Sequence, residues 1–151
     1  MTTERSGRPR PTEVLRAATA TIERVLAENQ GAALVERLRE TLPSVQSALT
    51  SHARGDDSPS GLHDTVIKAD PRLKQAADRL LEEHRELAAR MSGLGSQLAT
   101  QAASVAEAGS ELTPPQVRAA ADDLVKRLHR HLERSSNLLY EALERDIGAG
   151  D

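Results

Sequence analysis

Cysteine, tryptophan and phenylalanine are absent from this 151-residue chain, and Tyr140 is its single aromatic residue. Without cysteine there is no disulfide framework, no thiolate metal site and no cysteine nucleophile. One aromatic ring offers no platform on which the bases of a nucleic-acid strand could stack. Neither sign of charge dominates. Twenty basic residues stand against 23 acidic ones, for a net charge of −3, so the basic footprint of a nucleic-acid partner is missing. No apolar run approaches the ~18 residues of a membrane span. The opening MTTERSGRPRP has no apolar signal segment behind its charges. These absences point to a cytoplasmic protein that partners neither nucleic acid nor a membrane.

What is present is a helix-forming composition. Hydrophobic residues make up 38% of the chain, nearly all of them Leu, Ala and Val. Leu and Ala favour helices, and the aromatic and β-branched residues that favour strands are scarce. A chain of this length forms one domain and buries roughly 70% of its extended surface, enough for a core.

Residues 1–11 read as a disordered tail rich in Gly and Pro. Thr12 reads as an N-cap, and a first helix over about 12–29 carries Leu15, Ala18, Ile22 and Val25 or Leu26 at helical spacing. Asn29-Gln30-Gly31 stops it. A second helix over about 33–54 carries Leu34, Leu38, Leu42, Val45, Leu49 and His52, with a kink or break expected at Pro43. The Gly- and Pro-rich run 55–61 forms a loop.

Asp70-Pro71 then opens a long helix, about 71–108, with the stripe Leu73, Ala77, Leu80, His84, Leu87, Met91, Leu94, Leu98. After a turn near Gly109, Thr113-Pro114 repeats the cap-plus-proline start. A last helix, about 114–146, carries Val117, Ala121, Leu124, Leu128, His131, Ser135, Leu138 and Ala142, and residues 148–151 form a short tail. Steps alternating four and three are a bundle seam. The fold class expected is all-α, an antiparallel up-down four-helix bundle whose last two helices cross at roughly 20°.

Five histidines are present. His63 falls in a loop and His129 lies off its stripe, but His52, His84 and His131 each sit on the inward stripe of a different helix. In antiparallel helices, partners lie equally far from the connecting turn. His84 and His131 are nearly equidistant from Gly109, and His52 and His84 from the loop between their helices, so the three rings share one depth. Asp56 follows His52 by one helical turn, with Asp57 beside it as the other candidate. Glu83 and Glu133 are turned away from the stripe by their positions on the helix, which makes them solvated; contact with the back of a histidine ring is the other reading. A faint internal repeat aligns Thr19 with His84 in spacing, and His52 and Asp56 with His131 and Ser135. Asp122 with Lys126 and Asp123 with Arg127 are spaced as helix-surface ion pairs.

These residues resemble a hemerythrin-like, or HHE cation-binding, domain. The resemblance rests on LLEEHREL around His84, HLERSSNLLYEAL from His131, HARGDDSPSGL from His52, PRL at Pro71 and the ending DIGAGD, covering most of residues 33–151. It implies a four-helix bundle around a non-haem di-iron site. The family's ligands are single histidines on the first and third helices and H-x-x-x-E on the second and fourth. Residue by residue this implies His52, His84 and His131 as metal ligands, and Asp56 (or Asp57) as the carboxylate of the second helix. Thr19 stands where the first-helix histidine would be by repeat spacing, and Ser135 where the last carboxylate would be.

One aspartate offsets less charge than two metals carry, whereas three imidazoles and a carboxylate suffice for one. Such a set suits zinc or iron, so the cofactor expected is iron, as one or two ions, or zinc, with none as the alternative. The function expected is a metal-binding bundle that binds or senses dioxygen, nitric oxide or redox state. The alternative is a metal-free structural or protein-interaction module, and a homo-oligomer fits either. An enzyme, for instance one acting on peroxide, is the third reading, although no nucleophile–base pair supports it. Tyr140 packs at the bundle end, with an iron-phenolate role as the remote alternative.

Overall fold

The protein is described by a computed structural model covering residues 7–108 and 114–149. Every regular element in it is helical, in the order α1 (Pro11–Glu28), α2 (Gly31–Asp57), α3 (Leu62–Ala69), a single 3-10 turn (Pro71–Leu73), α4 (Lys74–Ala108) and α5 (Pro114–Ala149). The long helices pack as a closed set. α1 lies against α2 and α5, and α4 against the same two; the short α3 sits on α4 and α5. No helix among the described residues is long and apolar enough to cross a membrane.

Each boundary has a local cause. α1 begins at Pro11 rather than after Thr12, because proline fits the first helical position, where its missing N–H costs nothing. Glu13 reaches back to accept the Arg10 N–H at 3.4 Å. Only Asn29 and Gln30 separate α1 from α2, and Gly31 takes φ +58°, which only glycine adopts without strain. α2 runs unbroken through Pro43 and past Gly55 to Asp57. Pro43 is exposed, so the carbonyl it leaves without an N–H faces water.

The segment 55–70, expected as a loop, instead holds the last turn of α2 and the whole of α3. Gly61 allows this. A Cβ there would collide with the Gly55 carbonyl oxygen and come within 2.6 Å of that of Asp56, so only glycine lets the chain fold back onto the end of α2. Asp70 and Pro71 do begin a helical turn, with Asp70 Oδ1 accepting the Arg72 N–H at 3.0 Å, but it is the 3-10 turn that leads into α4. The turn expected at Gly109 and the cap expected at Thr113 lie outside the described residues.

The helical stripes are the core, with Ala18, Val25 and Leu73 only partly buried. That core is divided. A large cluster runs from Leu15 and Leu34 through Leu98 and Leu132; a smaller one joins Val66, Ala77, Leu80, Leu138 and Ala142. Along α4 the division falls at His84 and along α5 at His131 and Ser135, while α2 joins only the large cluster and carries His52 and Asp56 at its end. Tyr140 is 69% exposed and packs in neither cluster, contrary to the sequence expectation.

At the far end of the large cluster α5 closes α1. Arg118 donates from one terminal nitrogen to the Leu26 carbonyl at 2.6 Å and from the other to the Asn29 carbonyl. The last carbonyls of a helix have no partner within it, so this guanidinium supplies what the helix cannot. Arg118→Ala should lower the unfolding free energy by about 1–3 kcal/mol in a urea titration. The exposed Arg24→Ala should stay within about 0.5 kcal/mol of wild type. Equal midpoints for the two variants would show that water replaces the guanidinium without loss.

Candidate metal centre

Between the two apolar clusters lies a polar layer built from three helices. α2 supplies His52 and, one turn on, Asp56; α4 supplies His84 and α5 His131. All four are buried, and Asp56 is 7% exposed. One donor atom from each lies within 4.8 Å of every other. Asp56 Oδ2 is 3.1 Å from His52 Nε2 and 3.1 Å from His84 Nε2. His52 Nε2 is 3.2 Å from His131 Nε2. The rings meet edge to face, with centroids 4.8 to 5.3 Å apart.

These separations bear on whether the residues fit a metal. Donors bound at about 2.0–2.1 Å around one ion lie roughly 3–3.5 Å apart, as do Asp56 with His52, Asp56 with His84 and His52 with His131, within a set that spans up to 4.8 Å. Asp56 Oδ2 and His84 Nε2 are buried at contact distance, yet neither makes a hydrogen bond. Their approach lacks the alignment a hydrogen bond requires. A buried polar atom without a partner costs about 1–3 kcal/mol, and more when it is charged. Two such atoms belong to a group of four donors that could hold a metal ion. Asp57, the other candidate, is exposed and outside this group.

The backs of the rings are held too. Glu83, expected to be solvated, is 6% exposed, and its Oε1 lies 3.2 Å from His131 Nδ1. Its Oε2 accepts from Arg134 at 3.0 Å. The geometric reason is that α4 faces α5 as well as α2. The position before His84 is rotated about 100° from it, which carries Glu83 off the α2-facing stripe and onto the α5 side. A carboxylate can only accept here, so it fixes the His131 proton on Nδ1 and leaves the Nε2 lone pair facing the other donors.

On α1 the contact comes from Thr12, whose Oγ1 lies 3.2 Å from His52 Nδ1. Thr19 is buried, but it donates to the Leu15 carbonyl at 2.8 Å, about two helical turns from Thr12. The repeat spacing that singled out Thr19 misled. Thr12 lies 17 residues before Asn29 and His52 lies 22 after Gln30, whereas Thr19 lies only 10 before Asn29, so the depth rule that joins the histidines favours Thr12 over Thr19.

Ser135 is buried and donates to the His131 carbonyl at 2.9 Å. With Thr12, Thr65 and Ser136 it lines a cavity of about 430 Å3 that reaches His52 and Asp56. His63 and His129 take no part; they pair with Asp78 and Glu23.

Burial, the largest cause, pushes the His131 imidazole below its ordinary 6.5. The Glu83 hydrogen bond opposes this, and the neighbouring His84 and His52 reinforce it. For Asp56 burial alone would raise the pKa, but the close approach of the His52 and His84 imidazoles brings it down from 3.8 to about 2. The unfolded chain therefore takes up a proton at His131 near pH 6.5, before the folded one does, and at Asp56 near pH 3.8, where the folded one is still ionised. Both differences favour the fold at higher pH. The metal-free protein should lose stability as pH falls below about 6.5, and again below about 3.8. Denaturant midpoints from pH 7.5 to 5 check the first step. A flat profile would mean that His131 is not held neutral.

No protein-family model matches the chain, and comparisons with curated proteins and with solved structures return no match.

Proposed function

We propose that this chain is a divergent hemerythrin-like protein, an antiparallel up-down four-helix bundle that holds one iron or zinc ion through His52, His84, His131 and Asp56. The observation that carries this reading is the convergence of three imidazoles and one carboxylate on a buried point where Asp56 Oδ2 and His84 Nε2 have no hydrogen-bond partner. Hydrophobic residues at these positions would be cheaper for a purely structural core, since a buried polar group is costly unless fully satisfied.

One ion fits the charge better than two. Asp56 and Glu83 are the carboxylates buried in the layer, and Glu83 is turned to the back of His131 rather than to the donor cluster. Ser135 occupies the position where a second carboxylate would be needed. When bound, iron would supply one-electron chemistry and affinity for a diatomic such as dioxygen or nitric oxide, whereas zinc would supply a redox-inert charge. The chain's own residues hold and aim the donors. Glu83 keeps the His131 proton away from the cluster, and Thr12 can donate to or accept from His52 Nδ1. The hydroxyl-lined cavity beside His52 and Asp56 has room for a small ligand.

A second reading, a metal-free structural or interaction module, draws on one contact. His52 Nε2 and His131 Nε2, 3.2 Å apart, can share a proton as a hydrogen bond between neutral rings. In that case Thr12 donates to His52 Nδ1, and the layer serves to fix helix register.

Metal content separates the two. Untagged protein from medium supplemented with iron and zinc should carry close to one metal per chain by elemental analysis. His84→Ala and the near-isosteric Asp56→Asn should lose it while keeping the helical circular-dichroism signal. Glu83→Gln should retain the site but weaken it about 10–100-fold in a competition titration. Wild-type protein that takes up no metal even in direct titration would overturn the proposal in favour of the metal-free module.

A further inference from the structure

The two helices that carry His84 and His131 also enclose a groove that backs onto Glu83 and His131, with a cavity of about 140 Å3. Its walls include Arg79 and Arg90 from α4 and Arg127, Arg130 and Arg134 from α5. The sequence explains the juxtaposition. Arg127, Arg130 and Arg134 step by three and four along one face of α5, while Arg79, Glu83, Glu86 and Arg90 step by four, three and four along the facing side of α4. Five guanidinium groups thus face the two carboxylates of Glu83 and Glu86, in a chain whose overall charge is −3.

Arginines on a helix surface are usually neutralised by their neighbours, and here the neutralisation is incomplete. Asp123 Oδ2 serves two of them, Arg127 at 2.8 Å and Arg90 at 3.2 Å. Glu83 is shared between Arg134 and His131. Among the described residues Arg79 reaches only Glu82, at 3.7 Å on the exposed surface. We infer that this groove binds a small phosphate-class anion through Arg79, Arg130 and Arg134, with Arg90 and Arg127 held at its rim by Asp123.

Three features select that ligand chemistry. All five cations are arginine and none is lysine, and the planar guanidinium fork matches the paired oxygens of a phosphate or carboxylate. The cavity has the liquid volume of about four or five waters, which suits an anion from orthophosphate to pyrophosphate and excludes a nucleic-acid strand. The groove walls bear an excess of positive charge, an arrangement that concentrates anions locally.

The test is isothermal titration of pyrophosphate and of orthophosphate into the full-length chain, treated with chelator and dialysed, at ionic strength fixed with sodium chloride. Metal-free protein keeps this outcome separate from that of the histidine layer. Arg79→Gln combined with Arg130→Gln removes two cations that touch neither the histidines nor Glu83, so its thermal midpoint without ligand should match wild type. Arg85→Gln, which lines a different cavity on α4, removes one charge as a control. Saturable one-to-one binding that weakens at least about tenfold in the double variant and is unchanged in the control supports the site. If orthophosphate and pyrophosphate bind alike, a single phosphoryl group is recognised; if pyrophosphate alone binds, the site spans two. No saturable heat with either anion, or an equal loss in the Arg85→Gln control, would overturn it.

Discussion

Asp56 is a carboxylate placed inside a helical core, and the arrangement around it follows from that burial. Removing a charge from water costs several kcal/mol unless geometry returns it, and one carboxylate oxygen here faces two imidazoles at the same distance. The helices must hold His52 and His84 at one depth for this to hold. His131 then closes the group from α5, and Glu83 holds His131 from behind. Gly61 matters for the same reason, because it lets α3 fold back against the turn of α2 that carries Asp56. The polar layer interrupts the apolar core in two, a cost that a protein selected for stability alone would avoid.

Much of this could be read from the chain. Helical spacing identified nearly every buried Leu, because a 3.6-residue period on a Leu- and Ala-rich chain has few competing interpretations, but it missed Leu132 and the buried Val35, Val66 and Val125. The same spacing placed His52, His84 and His131 inward, and distance from the turns placed them level. What escaped was whatever one stripe per helix cannot show. α4 contacts both α2 and α5, so its buried surface is wider than a seam, and Glu83 lies in the added width. Thr12 looked like a cap because it precedes an acidic residue at the start of an apolar pattern; Pro11 had already begun the helix. α3 was hidden by its length, since eight residues between glycine- and proline-rich segments have too few turns to display a period.

Glu83 links two parts of the molecule that the sequence presents separately. One oxygen supports a histidine of the buried layer, and the other holds a guanidinium of the surface groove. Electrostatic influence across so short a bridge is weakly screened, because one side of it is protein interior. The charge state of the groove and the donor strength of His131 are therefore not independent quantities, and coupling of this kind acts equally in both directions.

The position of Thr12 has a kinetic meaning as well. It stands in the first turn of α1, and Arg10, Pro11 and Thr12 form part of the wall between the hydroxyl-lined cavity and solvent. Terminal turns have the fewest internal bonds and open with the smallest free-energy cost. The buried layer is thus fenced on one side by the first turn of a helix rather than by its middle. Opening of that terminal turn alone, without unfolding of the bundle, would bring solvent to His52.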